Sequence, residues 1–98
     1  MDSDTRQLRE RIIERLQTVV DPETGADVWR MRLVEDLSVS EDGQVSYVFR
    51  PSSPLCPIAV PLALAIQHAV GQLPEVRSQR IQVKDFIEAE LLTELLNS

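Results

Sequence analysis

The chain has 98 residues, enough for one domain with a single modest hydrophobic core. Its hydrophobic fraction of 43% is ordinary for a globular protein and excludes a disordered chain. The formal net charge is −6, and only one of the ten basic residues is a lysine, so a basic surface for nucleic-acid phosphates is not expected.

The cysteine count and the hydropathy pattern bear on the cellular compartment. One cysteine cannot form an intramolecular disulfide, and no signal-like apolar run follows Met1. No segment approaches the roughly 20 apolar residues of a transmembrane helix. We therefore expect a cytoplasmic protein with no membrane partner, working in a reducing environment.

The first predicted element is a helix over residues 5–19. Asp4 and Gln7 match a capping box at its start. Apolar residues then recur at the spacing that places them on one helical face. These residues are Leu8, Ile12, Ile13, Leu16, Val19 and Val20.

The loop after this helix is acidic. Pro22 disfavours helical geometry at the residue before it, and Gly25 permits a turn with positive φ, so the helix should end here. Asp21, Glu23 and Asp27 place three carboxylates within seven residues. Local chemistry favours a turn capped by aspartate, and a site for a hard cation is the alternative.

Two strands joined by a hairpin are predicted next, because apolar and polar residues alternate. Their apolar faces are Leu33, Leu37 and Val39 in the first strand, and Val45, Tyr47 and Phe49 in the second. A two-residue turn would put these faces on opposite sides of the sheet. A three-residue loop over residues 41–43, with Gly43 left-handed, puts them on the same side. The expected pairs are therefore Val39 with Val45 and Leu37 with Tyr47.

A second helix is predicted over residues 58–73. Its main apolar stripe is Ile58, Leu62, Ala65, Ala69 and Leu73. Leu64 projects elsewhere, so this helix is either covered on two sides or presents a contact surface. His68 falls on the more polar side and is predicted to be a surface histidine.

A third strand and a terminal helix complete the chain. Ile81 and Val83 alternate with polar residues, and Asp85 with Glu88 forms a second capping-box pattern. A helix between the second and third strands implies that these strands run parallel. The predicted fold is therefore α+β, one domain over residues 1–98, with order α-β-β-α-β-α and a small mixed three-stranded sheet packed by helices.

The joint between the second strand and the second helix, residues 51–57, carries the cysteine. Pro57 suits a first helical turn, so Cys56 should lie at or just before the helix N-terminus. Free amides and the helix dipole favour a thiolate there. Ser52 and Ser53 offer hydroxyls to cap the helix or to contact a ligand. The alternative is that Cys56 is a small buried hydrophobic residue and the serines only turn the chain.

Four short motifs share an order and a spacing with a known family. They are Asp21-Pro22-Glu23, Leu33-Val34, Ser52-Ser53-Pro54-Leu55-Cys56-Pro57 and Leu73-Pro74-Glu75-Val76. Together they resemble the MIP18-like family, also called DUF59, over about residues 6–86. That family includes iron–sulfur cluster assembly factors of the SUF type and the phenylacetate-oxygenase accessory protein.

The resemblance implies a site and partners. Cys56 matches the family's reactive cysteine and is implied to contact iron or an iron–sulfur cluster transiently. The other residues implied are the acidic pair Asp21 and Glu23, the hydroxyl pair Ser52 and Ser53, and Pro57. The implied partners are iron–sulfur assembly machinery or client proteins, with a P-loop ATPase cluster carrier among them and a homodimer as a further option.

One segment departs from the family pattern. Arg30-Met31-Arg32-Leu33 stands where the family usually has Asp-Leu-Gly-Leu. An acid and a glycine are therefore lost, and two arginines change the charge near the implied site.

Three functions follow from these residues. The favoured one is an accessory factor in iron–sulfur maturation that uses an accessible Cys56 near Asp21 and Glu23. One cysteine cannot complete the four-ligand shell of a cluster, so stable binding by one chain is not expected. The alternative is a non-catalytic interaction module that docks or dimerises through its apolar helices. A thiol enzyme is not expected, because no general base can be placed beside Cys56.

Overall fold

The computed structural model describes residues 2–98, with side chains from residue 5 onward. Within this range, three helices and one three-stranded sheet follow the order α-β-β-α-β-α, which confirms the predicted α+β fold. The elements are α1 (Asp2–Leu16), β1 (Val34–Val39), β2 (Gln44–Phe49), α2 (Ala59–Gly71), β3 (Ser78–Val83) and α3 (Ala89–Leu96). Among the described residues, no helix combines the length and the hydrophobicity that a membrane span needs.

The sheet is mixed, with β2 in the centre. β1 runs antiparallel to β2, and β3 runs parallel to it, as the intervening helix predicts. Val39 lies opposite Val45. Gly43 has a φ of 86°, so the three-residue loop is confirmed. The predicted apolar face of β2 is buried, and it forms the middle of the core.

A β-bulge interrupts β1. The pairing register shifts by one residue between Glu35 and Ser38. Asp36, inside the bulge, has a φ of 53°, a left-handed conformation that aspartate adopts more readily than most residues. Because β1 carries one extra residue at this point, Asp36 and Leu37 together lie opposite Tyr47, and the predicted pairing of Leu37 with Tyr47 falls within the bulge and is not a regular pair.

α1 is displaced towards the N-terminus relative to its prediction. It begins at Asp2, so Asp4 lies within the helix and not at its cap, and the Asp4 side chain lies outside the described part of the chain. The helix ends at Leu16. Val20, predicted to continue the apolar helical face, instead forms an isolated bridge with Asp27.

The other two helices begin later than predicted. α2 starts at Ala59, so Pro57 precedes the helix and does not occupy its first turn. Pro61 falls in that turn, where an amide has no partner within the helix in any case. α3 starts after Glu88, and Asp85 therefore does not cap it.

About half of the side chains of α2 are buried, and others are exposed to solvent. Its buried residues are Ala59, Leu62, Ala63, Ile66, Ala69 and Val70. Leu64 and Val60 remain exposed, so the helix is not covered on two sides, and a contact surface stays the predicted alternative. Ala65, predicted to lie in the apolar stripe, is exposed. His68 is exposed beside Gln72, as predicted.

α3 covers the free edge of β3 with side chains. The Ile81 N–H donates to Asn97 Oδ1 at 3.0 Å, and Asn97 Nδ2 donates to the Ile81 carbonyl at 2.6 Å. The Val83 N–H donates to Thr93 Oγ1 at 3.0 Å. These bonds satisfy edge groups that would otherwise be open to pairing with another strand.

Candidate functional site

Cys56 lies in a tight turn between β2 and α2. Its N–H donates to the Ser53 carbonyl at 3.2 Å, and its own carbonyl accepts from the Ala59 N–H, also at 3.2 Å. The Ser53 hydroxyl accepts from the Leu55 N–H at 3.2 Å. Ile58 is the N-cap of α2. The predicted position of Cys56, just before this helix, is therefore confirmed.

The Cys56 side chain points into the core. It is 6% exposed and belongs to the main hydrophobic cluster, whereas Ser52, Ser53, Leu55 and Pro57 around it are exposed. The expectation of an accessible thiol is therefore wrong for this conformation. The backbone turn sends this one side chain inward while its neighbours face solvent, as the alternative of a small buried residue requires.

The two serines do not cap α2. No side-chain cap hydrogen bond is present at this helix, which lies wholly in the described part of the chain. The Ser53 hydroxyl instead stabilises the turn through the Leu55 N–H. The Ala59 N–H is taken by the Cys56 carbonyl. The first residue of α2 thus donates its N–H to the backbone of the turn.

Asp21 stabilises the turn in which it lies. It is 1% exposed, and its Oδ1 accepts from the Glu23 N–H at 2.8 Å. Its carbonyl accepts from the N–H of Gly25, whose φ is 75°. Asp27 Oδ1 accepts from the Arg30 N–H at 2.8 Å. The capped turn that local chemistry favoured is therefore present, and Glu23 remains exposed.

The acidic loop approaches the start of α2 without building a metal centre. Pro22 lines one surface groove together with Ile58 and Pro61. Within the described residues, no three His, Cys, Asp or Glu side chains come together to hold a metal ion. The donor side chains from residue 5 onward therefore do not form a site for a resident metal or cluster by themselves. Ligation of passing iron by Cys56, Asp21 or Glu23 stays a prediction.

Arg50, which was not predicted as a site residue, borders the Cys56 turn. Its guanidinium lies 3.3 Å from a Glu35 oxygen and 3.1 Å from an Asp85 oxygen. The buried Nε makes no hydrogen bond, so the contact with Asp85 is an ion pair. The sequence feature that could have indicated Arg50 is its position as a charged residue directly after an apolar strand.

A second contact fastens the turn to the segment after β3. The Ile87 N–H donates to the Pro54 carbonyl at 2.9 Å. Arg50 reaches the same segment at Asp85. The exposed residues 52–55 are therefore held from one side by the chain that leads into α3.

Comparisons with known proteins place these features in context. A family model described as iron–sulfur cluster assembly protein matches residues 9–83. The chain is 34% identical over 76 residues to the Fe-S protein maturation auxiliary factor YitW of Bacillus subtilis, covering 78% of this chain and 74% of that one. It is 28% identical over 102 residues to a Fe-S protein maturation auxiliary factor of Porphyromonas gingivalis, covering 97% of each.

The fold also matches a solved structure. The crystal structure of a domain of unknown function, DUF59, from Bacillus anthracis superposes with a TM-score of 0.76. The superposition covers 98% of this chain and 93% of that chain at 20% sequence identity. The likeness shows that the two chains share their fold.

Proposed function

The chain belongs to the family of iron–sulfur cluster assembly proteins, and from this membership we propose that it is an auxiliary factor in the maturation of iron–sulfur proteins. The family match over residues 9–83 includes the Cys56 turn, and this observation carries the proposal. Two similar proteins are named Fe-S protein maturation auxiliary factors. The proposed partners are the assembly machinery, including a P-loop ATPase cluster carrier, and client proteins.

Cys56 is the proposed point of contact with the cluster, which is cargo in this proposal. Clusters are commonly held by four protein ligands, and this chain has one cysteine. The other ligands must come from another molecule, such as a client, a small thiol or a second copy. A single thiol contact therefore favours brief handover over storage.

Handover through Cys56 requires the turn to open, because the side chain is buried. Residues 52–55 are exposed, and two hydrogen bonds that hold them are Cys56 N–H to Ser53 and Ile87 N–H to Pro54. Neither bond belongs to the sheet or to α2, so we expect both elements to persist when this turn opens. A client or carrier that separates this turn from the segment after β3 would expose the sulfur.

Anaerobic reconstitution tests the ligand role. We expect wild-type protein, given iron, sulfide and glutathione as co-ligand, to retain protein-bound cluster after desalting. Cys56→Ala and Cys56→Ser should both retain several-fold less, measured by iron and sulfide analysis. Ser38→Ala, an exposed change in β1, is the control and should behave as wild type. Equal cluster content in all four proteins, with equal thermal unfolding, would remove Cys56 from any ligand role.

A further inference from the structure

Most of the large apolar side chains that stay exposed belong to α2, α3 and the turns that precede them. Seven such side chains occur among the residues whose side chains are described, and six belong to α2, α3 or the turns that precede them. These six, named here the α2/α3 surface, are Leu55, Val60, Leu64, Ile87, Leu91 and Leu95. Exposed apolar side chains that are concentrated on two neighbouring helices are typical of an interaction site.

Two hydrogen bonds hold α3 and the segment before it beside α2 and the turn before that helix. The Ile87 N–H bonds to the Pro54 carbonyl ahead of both helices. Further along, Gln67 Nε2 donates to the Leu96 carbonyl at 2.7 Å. The two helices that carry these exposed side chains are therefore neighbours.

α3 needs only its inner face to pack on the fold. Leu92 and Leu96 are buried, and Asn97 bonds to the edge of β3. Leu91 and Leu95, one helical turn apart, are 62% and 54% exposed. Since the helix is already docked without them, this outward leucine pair is available to a partner.

The charge beside the leucine pair specifies the partner's chemistry. Glu88, Glu90 and Glu94 are exposed on the same segment, and residues 86–98 contain no lysine or arginine. A complementary partner therefore carries basic side chains beside its apolar ones. A second copy docked by two-fold symmetry would bring these glutamates towards their own counterparts, which disfavours self-association through this face.

We propose that the α2/α3 surface docks an amphipathic helix with basic flanks, supplied by a client or assembly protein. Apolar side chains from two adjacent helices fit the apolar stripe of such a helix. Leu55, at the edge of the surface, directly precedes Cys56, so a docked helix lies beside the turn that has to open. This inference names the partner surface of the proposed function and rests on it, but the binding itself does not use the thiol.

A designed peptide serves as the probe. It is about 18 residues long, with leucines at helical spacing and lysines on both flanks. A matched control peptide has glutamate in place of every lysine. We expect the lysine peptide to bind by fluorescence anisotropy and Leu91→Ser/Leu95→Ser to weaken binding about tenfold or more. Glu90→Gln/Glu94→Gln should weaken it several-fold and reduce its salt dependence. Cys56→Ala should bind as wild type, which separates a failure of docking from a failure of cluster handover.

Matched controls come from α1 and from the loop that follows it. Val20→Ser removes an exposed apolar side chain outside the surface. Glu10→Gln/Glu14→Gln removes two exposed glutamates one turn apart on α1. Both should bind the lysine peptide within about twofold of wild type, since neither alters the docking face. Thermal unfolding of each variant verifies that it is folded.

Three results would overturn the inference. The first is unchanged affinity in the leucine variant, and the second is equal binding of the glutamate peptide. The third is a wild-type dimer in sedimentation that Leu91→Ser/Leu95→Ser dissociates, because this would assign the surface to a second copy.

Discussion

Tyr47 anchors a chain of hydrogen bonds that crosses the fold. Its ring is buried in the core, and its hydroxyl donates to Gln79 Oε1 at 2.8 Å. Gln79 Nε2 donates to the Gln67 carbonyl at 2.9 Å, and Gln67 Nε2 donates to the Leu96 carbonyl. One buried phenol thereby connects β2 and β3 with both helices of the α2/α3 surface.

The same burial makes the free energy of unfolding depend on pH in the alkaline range. Burial raises the pKa of Tyr47 above its ordinary value of 10.0. The folded protein favours the neutral phenol, whereas the unfolded chain ionises near the ordinary value. This contribution is complete below about pH 10 and is lost as pH rises towards the folded-state pKa. We expect the free energy of unfolding, measured with urea, to decline above pH 10.

Tyr47→Phe is the control for this pH dependence. It removes the ionising group, so the part of the decline that Tyr47 causes should disappear. It also leaves Gln79 Oε1 without its donor, which should lower stability by about 1 kcal/mol at neutral pH. Since Tyr47 is the only tyrosine, phenolate absorbance reports it directly. An identical alkaline decline in both proteins would contradict the assignment.

At single residues, the sequence predicted the local role of a side chain better than the direction in which that side chain points. The turn at Asp21 followed from its proline and glycine neighbours, and it is present. Cys56 was placed correctly along the chain, but the inward aim of its side chain depends on the turn at Ser53 and on tertiary packing. Arg32 has a φ of 60°, at the position where the resembled family usually has glycine. A left-handed arginine there stores about 1 kcal/mol of strain, which composition does not reveal.

The β1–β2 hairpin packs its turn against the loop between α2 and β3. Gly43 is left-handed, and its carbonyl accepts from the Arg77 N–H at 2.9 Å. A Cβ at Gly43 would clash with the Glu75 carbonyl oxygen. Gly25 is also left-handed, but a Cβ there would meet no heavy atom of the described residues within 4 Å beyond its chain neighbours. The two glycines therefore share a backbone requirement and differ in packing.

This difference gives a matched pair of substitutions. Gly25→Ala should lower the free energy of unfolding by about 1 kcal/mol, the cost of a left-handed alanine. Gly43→Ala should cost about 1 to 3 kcal/mol more, because the clash adds to the same conformational cost. Urea unfolding of the three proteins measures both values. Equal losses for the two variants would mean that the hairpin turn does not pack closely on the loop.

Periodicity predicted the type and order of the elements but not their ends. Alternation located β2 and its buried face, and the intervening helix predicted the parallel β3. An extra residue at Asp36 leaves the apolar pattern almost unchanged, so the bulge was missed. Val20 continues the helical apolar spacing of α1 but pairs with Asp27, because a tertiary bridge prevailed over local preference.

For the whole molecule, the proposed handover depends on how the buried thiol of Cys56 becomes exposed to a partner. Cys56 belongs to the same hydrophobic cluster as residues from all three helices and from the sheet. If only global unfolding exposed it, handover would compete with loss of the fold. If the turn over residues 52–56 opens alone, the core and the α2/α3 surface persist while the sulfur is exposed. These two routes differ in the surface area that they expose.

Alkylation of Cys56 distinguishes the routes, and we expect local opening. Global unfolding of a chain this size has a urea dependence of about 1 kcal/mol per molar, so global exposure would speed alkylation about fivefold per molar. Opening of one turn exposes little surface, and the rate measured by mass spectrometry below the unfolding transition should rise much less. Gly43→Ala, at the opposite end of β2, is the control: it should leave a local-opening rate unchanged and accelerate a global one by about 30-fold or more, the factor that corresponds to a loss of about 2 kcal/mol. A rate that follows global stability in both experiments would mean that the folded protein seals its only thiol, and docking through the α2/α3 surface would then operate without Cys56.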